Sequence, residues 1–143
     1  PISRLRVSRD GARVALIAGV DRGRKLVVGR VRVVAGQIRV VALRAVAPGV
    51  TDVSDVTWDS PTSLVVLGRV GTPPLPVRVA VDGSSVAALI RVGLELSLPV
   101  SLAAAPGRQL VVAAESDGQA VLFRDTGRLY AREARGYAPF YPD

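Results

Sequence analysis

The 143-residue chain contains no cysteine, histidine, methionine or asparagine. Without cysteine and histidine it has no disulfide, none of the usual zinc ligands and no Ser–His or Cys–His nucleophile pair. Apart from arginine, the side chains left for chemistry are nine aspartates, three glutamates, one lysine and the hydroxyls. We therefore expect the chain not to be an enzyme, and we assign no catalytic, cofactor-binding or metal-binding residue and no cofactor.

Aromatic residues are scarce as well, and only six are present. The net charge is +7 and the isoelectric point is about 11.2, which can indicate nucleic acid, an anionic membrane or an acidic protein as partner. Eighteen of the 19 basic residues are arginine, and they are scattered. The densest stretches, 22–25 and 30–32, have no interleaved aromatic rings on which bases could stack. We expect no nucleic-acid partner and attribute the arginine bias to a GC-rich genome.

Long apolar runs are also missing. No segment reaches the roughly 18 consecutive apolar residues that a membrane-spanning helix requires, and no signal-peptide pattern is present. Hydrophobic residues still make up 49% of the chain and charged residues 22%, which is typical of a globular domain. Because the chain begins at Pro1 rather than at methionine, we expect it to be part of a longer protein.

Valine, with 26 copies, dominates the apolar residues and favours strands over helices. Short apolar runs separated by Gly, Pro, Asp and Ser are typical of an all-β fold. Three segments, 4–18, 54–68 and 100–114, each show a strand, a turn and a second, more apolar strand. The turns are Asp10-Gly11, Ser60-Pro61 and Pro106-Gly107. The aligned positions Val14, Leu64 and Leu110 are 50 and 46 residues apart, and a second marker, Gly36, Gly83 and Gly127, recurs at 47 and 44.

The repeat predicts four strands per unit. The predicted ranges are 4–8, 13–19, 25–34 and 38–46, then 54–58, 63–70, 76–81 and 85–92, then 100–104, 109–115, 119–124 and 128–134. Four strands in about 47 residues are typical of one blade of a β-propeller. A β-sandwich would explain the strands but not the period. The fold class is therefore all-β, a single propeller portion of three antiparallel blades at approximately 1–47, 48–95 and 96–143.

Three blades are too few for a closed ring, because propellers usually contain roughly 4–8. An open arc leaves one blade face uncovered at each end, and a large uncovered apolar face marks an interface. We expect the rest of its own propeller to complete the ring, with a second copy or another chain as the alternative.

Four segments together resemble a known family. They are 4–16 (Arg-Leu-Arg-Val-Ser-Arg-Asp-Gly-Ala-Arg-Val-Ala-Leu), 46–58, 103–107 (Ala-Ala-Ala-Pro-Gly) and 138–142 (Ala-Pro-Phe-Tyr-Pro). The chain resembles the C-terminal β-propeller region of the LpqB-type actinobacterial lipoproteins over essentially its whole length; Asp143 stands where glycine is common in that family.

The resemblance implies an extracytoplasmic protein, anchored to the cell membrane only through a lipidated cysteine upstream of Pro1. It also implies a non-enzymatic protein-interaction module whose partner is the ectodomain of the sensor histidine kinase MtrB, in two-component signalling of cell-wall homeostasis and division. It supplies no catalytic residues, and the partner-binding residues are unknown.

Asp52, Asp55 and Asp59 form the tightest acidic cluster. Paired carboxylates can perform acid–base or glycosidic chemistry or bind a hard cation, so one hypothesis is a surface that binds or processes cell-wall glycans. The structural interpretation, which we favour, places Asp52 and Asp55 at the start of a strand. Asp59 then opens a turn in which its side chain bonds nearby amides.

The remaining motifs are interpreted structurally. Residues 8–11 (Ser-Arg-Asp-Gly), 21–24 (Asp-Arg-Gly-Arg) and 117–118 (Asp-Gly) are predicted turns or hairpin loops. Trp58 is expected to be buried at the end of a strand beside the central channel. Residues 72–76 (Thr-Pro-Pro-Leu-Pro) are read as a stiff connection between strands, and residues 137–142 as a tail that packs across a blade.

Overall fold

The protein forms three four-stranded antiparallel sheets. The structure is a computed structural model that describes residues 1–70, 74–88, 99–105, 110–115, 120–124 and 129–132. Blade 1 contains β1 (Ile2–Val7), β2 (Arg13–Ala18), β3 (Lys25–Val34) and β4 (Gln37–Ala45), with a short 3-10 helix (Asp21–Gly23) between β2 and β3. Blade 2 contains β5 (Thr51–Ser60), β6 (Ser63–Arg69), β7 (Pro74–Ala80) and β8 (Val86–Ala88). Blade 3 contains β9 (Pro99–Ala105), β10 (Leu110–Glu115), β11 (Ala120–Arg124) and β12 (Leu129–Arg132).

In each blade the strands are hydrogen-bonded in chain order, and every described pair is antiparallel. The predicted fold class, three four-stranded blades in an incomplete ring, is confirmed. The blade limits at 1–47, 48–95 and 96–143 stay a prediction. The predicted turns at 106–107, 117–118 and 126–127 and the tail at 137–142 lie outside the described residues.

The second strand of a blade is buried on both faces, as its continuous apolar sequence predicts. In β2 the residues from Val14 to Ile17 are all buried, and in β6 those from Leu64 to Gly68 are. The outermost strand β4 is instead exposed along almost its whole length. In blade 1, solvent exposure therefore rises from the second strand to the outermost one.

The main apolar core lies between blades 1 and 2. Blade 1 contributes Ala15, Ile17, Leu26 and Val28. The segment that crosses from β4 to β5, residues 46–50, contributes Val46, Ala47 and Val50. Blade 2 contributes Val53, Val56, Trp58, Leu64, Val66, Val77, Val79 and Val81. A glycine is needed where the crossing segment touches β6, because a Cβ on Gly68 would lie 2.6 Å from Val50 Cγ1. The two blades are thus joined by continuous apolar packing.

Strand β7 differs from its prediction. It begins at Pro74 rather than at residue 76, so part of the segment read as a stiff connection belongs to the sheet. Proline is tolerated in a strand where its missing N–H has no partner. Pro74 and Pro76 pair with β6 on one side, whereas β8 pairs only with the residues from Val77 to Val79. No described strand therefore bonds the outer side of either proline.

The loop predicted at 21–24 is also more regular than expected, because its first three residues form the 3-10 helix. Among the described residues, no helix is long and apolar enough to span a membrane.

Candidate functional site

The most constrained polar group in the described part of the chain is the carboxylate of Asp55, on the first strand of blade 2. The residue is 1% exposed. Its Oδ1 accepts a hydrogen bond from the N–H of Val56 at 2.9 Å, and its Oδ2 accepts one from the N–H of Leu102, on β9, at 2.7 Å. A charge-assisted bond to a backbone amide is among the stronger protein hydrogen bonds. Asp55 therefore ties blade 2 to blade 3.

The same carboxylate faces two arginines of blade 1. Arg4 Nε lies 3.8 Å and Arg6 Nη2 3.9 Å from Asp55 Oδ1, and both arginine side chains are half exposed. These distances are those of ion pairs rather than hydrogen bonds. One buried negative charge is thus neutralised by cations from the preceding blade while its oxygens bond the backbone, which is what a buried charge requires.

Trp58 adds a second link between the first strands of blades 1 and 2. Its indole Nε1–H donates to the carbonyl oxygen of Arg6 at 3.0 Å, and the side chain is 9% exposed. The expected burial of this aromatic is confirmed. Trp58 lies inside β5 rather than at its end, because the strand continues to Ser60.

The other two aspartates of the cluster also lie inside β5. Asp52 Oδ1 accepts from Arg24 Nη2 at 3.2 Å, and its Oδ2 lies 3.3 Å from Arg69 Nε. Asp59 Oδ2 accepts from Arg78 Nε at 3.1 Å. Asp52 is the second residue of β5 and lies at the strand entry, as expected, whereas the expectations that Asp55 lies there and that Asp59 opens a turn were wrong. Strand pairing extends over both ends because arginines from neighbouring strands and from blade 1 neutralise the carboxylates.

The three carboxylates do not converge on one point. Each has its own cationic partners, and Asp55 alone of the three joins the first strands. Within the described ranges, no group of three acidic side chains is placed to hold a metal ion. The arrangement therefore supports inter-blade cohesion better than paired acid–base chemistry.

Two aspartates in turns are held ionised by local hydrogen bonds. Asp10 Oδ1 accepts one hydrogen bond from Ser8 Oγ at 2.6 Å and another from the N–H of Ala12 at 3.0 Å. These bonds hold the pKa of Asp10 below its ordinary value. Hydrogen bonds from Ser84 lower the pKa of Asp82 in the same way. Because the folded-state pKa is depressed, each contribution to stability is complete above about pH 4 and is lost as the pH falls further. Residues 8–11 form a turn, as predicted.

A cleft of about 280 Å³ lies between the rims of blades 1 and 2 and is lined mainly by apolar residues. Its two charged side chains are already engaged: Arg44 donates to the carbonyl oxygen of Val81, and Asp82 accepts from Ser84. Ligand pockets usually present a few convergent polar groups, and this cleft does not offer free ones.

On the face of blade 1 that points away from blade 2, Val14 and Leu16 of β2 are buried, but the first strand is uncovered in the described structure. The side chains of Leu5 and Val7 are 50% and 53% exposed. Further out, the side chains of Val40 and Leu43 pack over Gly29. A Cβ added to Gly29 would lie 2.7 Å from Val40 Cγ1 and 2.9 Å from Leu43 Cδ2. This face is a second candidate site, for a macromolecule rather than for a small ligand.

Three consecutive antiparallel four-stranded sheets, with the first strand of the second in contact with the first strands of both others, define a portion of a β-propeller. A family model described as the lipoprotein LpqB β-propeller domain matches residues 1–142. The chain therefore belongs to the LpqB β-propeller domain family, which confirms the resemblance.

Curated relatives carry the same name. The chain is 32% identical over 146 residues to lipoprotein LpqB of Thermobifida fusca and 31% identical over 153 residues to lipoprotein LpqB of Streptomyces coelicolor. In both cases the match covers 99% of this chain, but only 22% and 23% of the relative. The chain thus spans less than a quarter of the length of these relatives.

Solved structures agree in fold. A functionally unknown protein from Desulfotomaculum acetoxidans is similar with a TM-score of 0.58 at 17% identity, over 91% of this chain and 39% of that one. A puromycin-hydrolyzing peptidase from Mycobacterium tuberculosis is similar with a TM-score of 0.55 at 16% identity, over 92% and 29%. At such identities the likeness is one of fold alone.

Proposed function

We propose that this domain is a non-enzymatic protein-interaction module of an extracytoplasmic, membrane-anchored lipoprotein. Its partner is the ectodomain of a sensor histidine kinase of the MtrB type, in cell-wall and division signalling. Family membership supports the compartment, since the curated relatives are lipoproteins by name. The observation that carries the non-enzymatic role is that Asp52, Asp55 and Asp59 are each committed to arginines or to backbone amides.

Such a module acts through a coupling free energy. Binding that favours one signalling state of the kinase ectodomain shifts the kinase between its states, by no more than the difference in affinity for the two. The exposed apolar residues of β3 and β4 in blade 1, such as Val33 and Ile38, offer the surface for this contact.

The experiment is a quantitative binding assay at physiological salt between the full-length protein and the purified kinase ectodomain. A saturable complex is expected. No binding by a protein that circular dichroism and a cooperative melt show to be folded would contradict the proposal.

The second candidate is a surface that binds or processes cell-wall glycans through aspartates. It predicts that Asp59→Asn abolishes binding or cleavage of peptidoglycan or arabinogalactan fragments. Asp59 is the sharper test, because Asp55 also joins blades and its replacement lowers stability. Unchanged behaviour of Asp59→Asn, or no activity in the wild-type protein, excludes this alternative for Asp59.

We also infer that the uncovered face of blade 1 packs against a further blade of the same protein, with a second copy as the alternative. The support is structural. Leu5 and Val7 of blade 1 correspond in strand register to Val56 and Trp58 of blade 2, which blade 1 covers. Sedimentation of the full-length protein separates the two cases, because closure within one chain gives a monomer.

A further inference from the structure

The hairpin of β3 and β4 extends beyond the rest of blade 1. Strand β2 begins at Arg13, which pairs with Arg30, and the N–H of Val31 still donates to the carbonyl oxygen of Ala12 at 2.9 Å. Beyond Val31, β3 and β4 pair only with each other. Residues 31–40 therefore form a two-stranded extension, here called the arm. At about 3.3 Å per residue, its four residues on each strand project roughly 13 Å. In blade 2, β7 ends at Ala80, opposite the first residue of β6, so blade 2 has no arm.

The two faces of the arm differ in chemistry. The pairs Val31–Val40 and Val33–Ile38 lie on one face, and the pair Arg32–Arg39 lies on the other. Val33 and Ile38 are 72% and 77% exposed. The arm therefore presents an apolar strip backed by a pair of arginines.

The charge of the arm is uncompensated in the described structure. No acidic residue occurs between Asp21 and Asp52. The described ion pairs engage Arg4, Arg6, Arg24, Arg69 and Arg78, and none of them involves Arg32 or Arg39. Like charges directly opposite each other on a sheet are destabilising. An approaching carboxylate would relieve this repulsion.

The outer edge of the arm is also open. Strand β4 is last in its sheet, and no described strand pairs with its outer side. Natural edge strands are usually short, bent or covered, because a long edge offers a row of free N–H and C=O groups. Strand β4 has nine residues and is regular until Ala42, where a φ of 53° marks a bulge. Residues 37–41 are therefore available for pairing.

We propose that the arm binds an extended acidic segment of a partner protein by strand addition to the edge of β4, with acidic and β-branched residues alternating along that segment. The acidic side chains would lie beside Arg39, with Arg32 one strand further in, and the apolar ones would extend the strip of Val33 and Ile38. This inference rests on the proposed interaction function and names the surface for it.

Two other occupants fit less well. A lipid surface supplies phosphates and apolar chains but leaves the backbone groups of the β4 edge without partners, which is costly in an apolar medium. A neighbouring blade whose third strand ends level with its second strand, as β7 does with β6, would cover Leu5 and Val7 but would not reach the arm. Strand addition alone uses the edge, the strip and the arginines together.

The probe is a fluorescent, end-capped hexapeptide of alternating glutamate and valine, titrated into the full-length protein and followed by anisotropy. We expect saturable binding that weakens with salt. The double variant Arg32→Glu/Arg39→Glu is expected to weaken it by about tenfold or more. The control Arg9→Glu/Lys25→Glu makes the same charge change at two exposed residues outside the arm and is expected to have little effect.

Two peptide controls separate strand addition from charge attraction. A block peptide of three glutamates and three valines keeps the composition, and an alternating peptide with N-methylated amides keeps the side chains but loses backbone donors. Both are expected to bind at least about tenfold more weakly. Equal binding of either control, or equal loss in both double variants, would overturn the proposal. Arm-dependent binding to phosphatidylglycerol vesicles without peptide binding would replace it with a membrane contact.

The kinase assay distinguishes the two proposals. If the ectodomain binds the wild-type protein and the Arg32→Glu/Arg39→Glu variant equally, the arm is not the surface and the interaction function stands. If the peptide binds through the arm and the kinase ectodomain does not bind, the kinase is not the partner, and the proposal that the arm is a binding surface is kept.

Discussion

Matched faces of blades 1 and 2 differ mainly in whether another blade lies against them. In blade 1 the row Leu5, Leu16, Val27 crosses three strands, and in blade 2 the equivalent row is Val56, Val66, Val77. All three residues of the second row are 0% exposed, whereas in the first row Leu16 is 7% exposed and Leu5, on the first strand, is 50% exposed. Both rows consist of apolar residues, so both faces are suited to burial. The neighbouring blade, rather than composition, decides whether the first strand on this face becomes core.

The largest test of this comparison removes a side chain from the covered face. We expect Val56→Ala to cost about 2.5 kcal/mol of unfolding free energy, because Val56 is 0% exposed between two blades and its loss leaves a cavity. The matched change Leu5→Ala is expected to cost about 1 kcal/mol or less where that face is open. The measurement is urea denaturation of both variants.

The same pair tests what covers blade 1. If another blade packs on Leu5 in the full-length protein, the cost of Leu5→Ala should rise there towards that of Val56→Ala. A cost that stays small in the full-length protein would mean that the face of blade 1 remains open.

The second test acts on the polar link between the blades. Asp55→Asn is expected to cost about 2 kcal/mol, because the buried amide of Leu102 loses a charged acceptor and the arginines of blade 1 lose their counter-charge. The control Asp59→Asn removes an ion pair nearer the solvent and is expected to cost about 1 kcal/mol or less. Equal denaturation midpoints for the two variants would argue against a special role for Asp55.

The smallest expected effect lies in the arm, outside both faces. Ala35 and Gly36 both have positive φ, 51° and 76°, in the two-residue turn between β3 and β4. Asparagine tolerates this conformation better than alanine does. Ala35→Asn is therefore expected to stabilise the protein by about 0.5 kcal/mol, seen as slower amide exchange in residues 31–40. Faster exchange there would show that the turn is not strained.

The sequence was sufficient to predict the strands, because apolar runs and turn residues are local signals. Val14 and Leu64 lie in the second strands of their blades as predicted. Strand β5 proved longer than its predicted range because Asp52 and Asp59 read locally as turn formers. Their partners Arg24 and Arg78 are 28 and 19 residues away.

The role of Asp55 had no signal in the sequence. Its acceptor bond goes to the backbone of Leu102, 47 residues further on, and any residue except proline could supply that amide. The arm was equally hidden, because its alternation of valine and arginine looks like any exposed strand. Only the register shows that β2 stops short of it.

The charges at one repeated position also fix the order of the blades. In register, Asp55 of blade 2 occupies the place that Arg4 holds in blade 1 and Leu102 in blade 3. Successive blades therefore carry a cation, an anion and an apolar residue at the same point. A gene duplication that placed two copies of blade 2 side by side would bring together two buried carboxylates with cations for one. Although blades arise as repeats, these three are no longer interchangeable, and domain shuffling within this part of the protein is restricted.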